Sequence, residues 1–100
     1  MPFISISSVN QFDQELPSGN VIIYYTADWC RGIAPIVDQI EKENPSIKVL
    51  KVDIDQLKDH PLVQMVSTVP HFDARKNGIS INEFSGANES SLRSMVNQLV

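Results

Sequence analysis

Cys30 is the single cysteine in 100 residues, and it stands between Trp29 and Arg31. A cysteine reacts as the thiolate, and a cationic neighbour or a helix N-terminus favours that form. Arg31 supplies the first condition, and a helix expected to start at about residue 33 supplies the second. A lone thiol can attack a disulfide and become joined to it, but it has no second thiol in the chain to break the joint. It also rules out an intramolecular disulfide and a metal site built of cysteines alone. The bland alternative is a cysteine that packs as a small hydrophobe.

Few other side chains offer chemistry at a useful spacing. Asp53, Asp55 and Asp59 lack the glycine and terminal glutamate of a calcium-binding loop, so they read as a solvated strand end and no metal is expected. His60 reads as an exposed turn residue. Lys51 shares a strand face with Ile47 and Val49, which suits a stem packed on apolar neighbours and an amine reaching for water.

The elements that must position Cys30 follow from the apolar pattern. Residues 3–6 read as a short strand. Val9, Phe12 and Leu16 mark a helix that Ser7 or Ser8 caps and that the run Pro17-Ser18-Gly19-Asn20 ends. Residues 21–26, Val-Ile-Ile-Tyr-Tyr-Thr, are apolar on both faces, as in a central strand covered on two sides. Ile33, Ile36, Val37 and Ile40 recur at helical spacing over 33–43, before Asn44-Pro45. A strand at 47–53 follows, then a short helix at 61–66. Strands at 71–76 and 80–85 are joined by Asn77-Gly78, a strong hairpin signal. A last helix over about 88–100 shows Leu92, Met95, Val96 and Leu99 on one face. The order β-α-β-α-β-α-β-β-α predicts an α/β fold, a mixed sheet of four or five strands with helices on both faces.

Composition narrows the function classes. The hydrophobic fraction is 42% and the charged fraction 20%, as expected of one globular domain over residues 1–100. Twelve acidic and eight basic residues give a net charge of −4, which argues against nucleic acid or an anionic membrane as partner. The apolar run Val21–Tyr25 is far short of the ~18 residues of a membrane span. No basic segment followed by an apolar one opens the chain, so the default compartment is the reducing cytoplasm.

Six segments, in order, resemble the thioredoxin family over almost the whole chain. They are Ala27-Asp28-Trp29-Cys30, Ile33-Ala34-Pro35, Lys51-Val52-Asp53-Ile54-Asp55, Val69-Pro70, Lys76-Asn77-Gly78 and Gly86-Ala87. The resemblance implies the thioredoxin-like fold and a cis peptide before Pro70, facing Cys30. It implies a reactive Cys30 and an apolar substrate-binding rim formed by Trp29, Ile33, Val69, Pro70, Gly86 and Ala87. Trp29 could instead be a core aromatic.

Two departures from the family pattern bear on function. Thioredoxins carry Trp-Cys-Gly-Pro-Cys some residues before Ile-Ala-Pro, whereas Trp29-Cys30 here runs through Arg31-Gly32 directly into Ile33-Ala34-Pro35. Three residues are missing, one of the two cysteines among them. Three residues are ~300° of helical rotation and ~4.5 Å of rise, so the apolar face survives on a helix about one turn shorter. The position after Trp29 matches the attacking cysteine, although the gap can be drawn on either side of Cys30. The second departure is Tyr24, which replaces the family's buried Asp behind the dithiol. A phenol with an ordinary pKa near ~10 is a poor base at neutral pH. Lys51 matches the family's partly buried Lys, and with no carboxylate beside it the expected partner is the Tyr24 hydroxyl. His71, next to Pro70, either tunes the thiol or serves as a hydrogen-bonded strand residue.

The resemblance thus implies a one-thiol site that forms mixed disulfides with protein thiols or glutathione and is impaired as a dithiol reductase. It needs no cofactor. Thioredoxin reductase and a disulfide-linked dimer through Cys30 are further partners the reading allows. The alternatives are a redox-inactive module that holds a partner's extended segment, or a deletion variant of an ordinary dithiol thioredoxin. A metal cluster shared between chains would call for a Cys-Gly-Phe-Ser motif, which is absent.

Overall fold

Strand β2 (Asn20–Thr26) organises the molecule, because every residue after Asn20 is buried. A strand with no face in water must pair on both edges and be packed on both sides. In the computed structural model, which describes residues 3–30 and 32–100, it does both. One edge pairs in parallel with β3 (Ile47–Asp53), with Tyr24 opposite Lys51, and the other pairs antiparallel with β4 (His71–Lys76), with Tyr25 opposite His71. Strands β1 (Phe3–Ser5) and β5 (Ile79–Ser85) complete the sheet in the order β1-β3-β2-β4-β5. This is the expected mixed sheet, with five strands.

Alternation along β2 divides the core in two. Ile22 and Tyr24 face helices α2 (Ala34–Glu43) and α4 (Glu89–Leu99), and pack with Ile33, Val37, Ile40, Leu92, Met95 and Leu99. Val21, Ile23 and Tyr25 face α1 (Val9–Glu15) and α3 (Pro61–Gln64), and pack with Phe12, Leu50, Val52 and Val63. Within the first layer the Tyr24 ring lies flat on Phe72, centroids 5.2 Å apart, and Phe72 in turn stacks on Phe84.

Local chemistry sets the element ends. The Ser8 hydroxyl caps α1 by accepting from the Gln11 N–H at 3.1 Å, and Asn88 caps α4 by accepting from the Ser91 N–H at 2.9 Å. The hairpin turn has Asn77 at φ 52° and Gly78 at φ 86°, the left-handed pair that a two-residue loop requires.

His60 departs from its expected exposed position. It is 4% exposed and is the N-cap of α3. Its Nδ1 accepts from the Leu62 N–H at 3.1 Å, its Nε2 meets Asp13 at 2.8 Å, and its ring lies 4.4 Å from Phe12. A flat ring on an aromatic neighbour is well covered, and both nitrogens find partners, so burial costs little. Nothing in the local sequence foretells this, because Phe12 and Asp13 lie far back in the chain.

Phe12 is the one buried residue of α1, so the docking of that helix depends on it. Phe12→Ala is expected to lower the unfolding free energy by about 3–5 kcal/mol. Urea unfolding followed by circular dichroism measures this, and a loss below about 1 kcal/mol would mean that α1 is held by other contacts.

Candidate functional site

The C-terminal end of β2 runs directly into the turn that carries the thiol. The Cys30 N–H donates to the Ala27 carbonyl at 2.9 Å, which bends residues 27–30 into a tight turn. The Cys30 carbonyl accepts a hydrogen bond from Thr26 Oγ1, also at 2.9 Å. Trp29 projects from the turn and is 72% exposed, while Cys30 itself is half-buried. Trp29 is therefore a surface side chain beside the thiol, not a core aromatic. Arg31, expected to favour the thiolate, lies outside the described residues.

Helix α2 starts at Ala34, and Arg31 and Gly32 separate Cys30 from its N-cap Ile33. Its first backbone bonds run from Ile36 and Val37 to the Ile33 carbonyl. Ile33 is buried in the core with Tyr24 and Phe72, so it cannot belong to an exposed rim. This corrects the sequence expectation. The reason is helical phase: Ile33 lies four residues before Val37 and so falls on the same inward face.

Beside Cys30 is an open cavity of about 330 Å³, lined by Tyr24, Thr26, Ala27, Asp28, Ala34, Lys51 and Asp53 together with the cysteine. The structure thus brings Tyr24 and Lys51 to the thiol. They are not bonded to each other as expected, however. The strand register is the anticipated one, but Lys51 is exposed and no hydrogen bond joins it to Tyr24. A strongly hydrated ammonium keeps its water wherever the fold leaves it a path, and the open cavity is such a path.

The Tyr24 phenol is buried, and burial pushes its pKa above the ordinary value near 10. The Thr26 hydroxyl offsets this in part, while charge at Cys30 and Asp38 adds to it. The phenol stays protonated at neutral pH and can donate a hydrogen bond there, but it cannot act as a base. Tyr25, on the opposite face, is likewise pushed up, first by burial and then by Asp73.

The remaining expected site residues lie on other loops. The Val69–Pro70 peptide is cis. Val69 packs on the α1/α3 side of the sheet, and Pro70 is buried. The Pro70 carbonyl accepts from the Gly86 N–H at 2.8 Å, which ties this loop to the half-buried Gly86 and exposed Ala87. None of these four residues lines the cavity beside Cys30.

His71 turns away from that cavity. Its Nδ1 contacts Ser85 Oγ at 2.7 Å, its Nε2 contacts Glu83 at 3.1 Å, and its ring lies against Tyr25 on the α1/α3 face. It is a hydrogen-bonded strand residue rather than a thiol-tuning one. Its register position opposite Tyr25, not Tyr24, is the cause.

Thr26 is the site residue that sequence reasoning passed over. Its signal was present: a hydroxyl on a strand buried on both faces must find a partner. Among the described residues, no group of three or more His, Cys, Asp or Glu could hold a metal ion, and no helix is long and apolar enough to cross a membrane.

Comparison with known proteins agrees with this architecture. The thioredoxin family model matches residues 3–98. The chain is similar to thioredoxin-3 of Dictyostelium discoideum, with 38% identity over 94 residues, covering 91% of this chain and 90% of the relative. A putative thioredoxin-5 of the same organism is 39% identical over 97 residues, covering 91% and 92%. Among solved structures, a cysteine-to-serine mutant of an Entamoeba histolytica thioredoxin superimposes with a TM-score of 0.88 at 30% identity, covering 96% of this chain and 98% of the other. A Plasmodium falciparum thioredoxin superimposes with a TM-score of 0.89 at 27% identity, with the same coverages.

The two tyrosines of the chain are Tyr24 and Tyr25, and both carry raised values. The folded chain then holds protons that the unfolded chain releases at about pH 10, so stability is intact below that pH and falls as pH rises past it. Phenolate absorbance near pH 10 is expected to be small for the native protein and large in denaturant. Equal absorbance in both would show that the phenols are not desolvated.

Proposed function

Because this chain belongs to the thioredoxin family and keeps one cysteine, we propose that it is a one-thiol member that forms mixed disulfides through Cys30. The observation that carries this reading is the half-buried thiol, presented on a turn beside an open cavity and the exposed Trp29. The Cys30 thiolate attacks one sulfur of a protein disulfide or of oxidised glutathione. A new S–S bond forms, the old one breaks, and the other sulfur departs as a thiolate that takes a proton from solvent. An external thiol, such as glutathione, must then attack the mixed disulfide to free Cys30.

Family members act on protein disulfides and are reduced by thioredoxin reductase. Thioredoxin reductase reduces an internal disulfide, which one cysteine cannot form, so this chain falls outside that cycle. Exposed Trp29 supports a second reading, in which the surface beside Cys30 holds a partner segment without exchange.

Incubation with oxidised glutathione is expected to give a one-to-one adduct at Cys30 by mass spectrometry, with no sustained insulin reduction by thioredoxin reductase. Sustained turnover would refute the one-thiol reading, and absence of any adduct would leave the binding reading in its place.

The deletion and Tyr24 can be separated by rebuilding. Inserting Gly-Pro-Cys after Cys30 is expected to restore a reversible disulfide but little turnover. Adding Tyr24→Asp should raise the insulin-reduction rate, within the ~10²–10⁴-fold that a general base contributes. It should also cost stability, because Tyr24 stacks on Phe72 in the core. If the insertion alone reaches ordinary rates, the phenol is a neutral replacement.

A further inference from the structure

Both backbone groups of Cys30 are tied, but by different means. The N–H is held by the Ala27 carbonyl, a main-chain bond that any residue at position 27 would make. The carbonyl is held by Thr26 Oγ1, which only a hydroxyl side chain at position 26 can supply. Among the described residues, the first helical hydrogen bonds run to the Ile33 carbonyl, beyond the thiol. Thr26 is itself tied to the sheet: it is buried, and its backbone carbonyl accepts from the Ile54 N–H at 2.9 Å, across to the segment after β3. Tyr24, Thr26 and Cys30 all line the one cavity.

We infer that Thr26 is the positioning residue for the Cys30 thiol, anchoring the thiol's turn to the sheet. This rests on the reading of Cys30 as the exchanging thiol. Disulfide exchange needs the attacking sulfur in line with the bond that breaks, so a turn with several conformations spends less time in the productive one.

The test compares Thr26→Val, which keeps the branched shape and loses the donor, with Thr26→Ser, which keeps the donor and loses the methyl. The readouts are the rate of adduct formation between Cys30 and oxidised glutathione across about pH 6–9, and the urea midpoint of each variant. The Val variant is expected to react about 2- to 10-fold more slowly at every pH, the span a net hydrogen bond carries. The Ser variant is expected to react at close to the parent rate even where it is the less stable of the two. Rates that follow stability instead of the hydroxyl, or a Val variant as fast as the parent, would overturn the inference while leaving Cys30 as the reacting thiol. A parent chain that forms no adduct would overturn the reading of Cys30, and the inference with it.

Discussion

The constraint on which the structure depends is that β2 has no face in water. Its backbone groups must therefore pair with β3 on one edge and β4 on the other, and its side chains must supply the floor of two separate cores. Each later strand and helix then has one place to go. The two crossovers that join parallel strands put α1 on one face and α2 on the other, and α3 then packs on the first face and α4 on the second. The same strand delivers the thiol, since the turn of residues 27–30 leaves its C-terminal end with Thr26 still inside the sheet.

A helix one turn shorter than the family motif implies would fit this frame. Removing three residues nearly preserves helical phase, so Ile33, Val37 and Ile40 still point inward and the packing against β2 and β3 is kept. At the start of this helix Ala34 lines the cavity beside Cys30, and Lys51, on the same cavity, is exposed. A change in helix length of one whole turn is the kind that spares a core.

Much of the fold is legible in the sequence, because its signals are local. The Asn77-Gly78 turn, the cap at Ser8 and the two-faced apolar run of β2 each carry their own physical reason. The site is legible only in part. Period-2 alternation says that neighbouring strand residues face opposite ways, but not which way. His71 takes its face from its register opposite Tyr25, and Lys51 its exposure from the open cavity it lines. For Ile33 the helical spacing from Val37 outweighs the family motif and puts the side chain in the core. His60 defeats local reading because its partners Phe12 and Asp13 lie some fifty positions away, and no short-range pattern reports such a contact.

The irregularity between β4 and β5 bears on how the chain behaves in company. Strand β5 is an open edge, with Ile79 and Ile81 exposed, and an exposed edge that is flat and apolar recruits further strands from other molecules. The pairing skips a residue between Ala74 and Arg75, so that Ala74 faces Asn82 while Arg75 faces Ser80. Ile81 is left outside the ladder. Behind it, buried Asp73 binds both the Arg75 guanidinium and the Ser80 hydroxyl, and this holds the offset in place. The outer rim is thereby kinked and out of step with any straight strand laid along it, so a solubility safeguard is built into the hairpin itself.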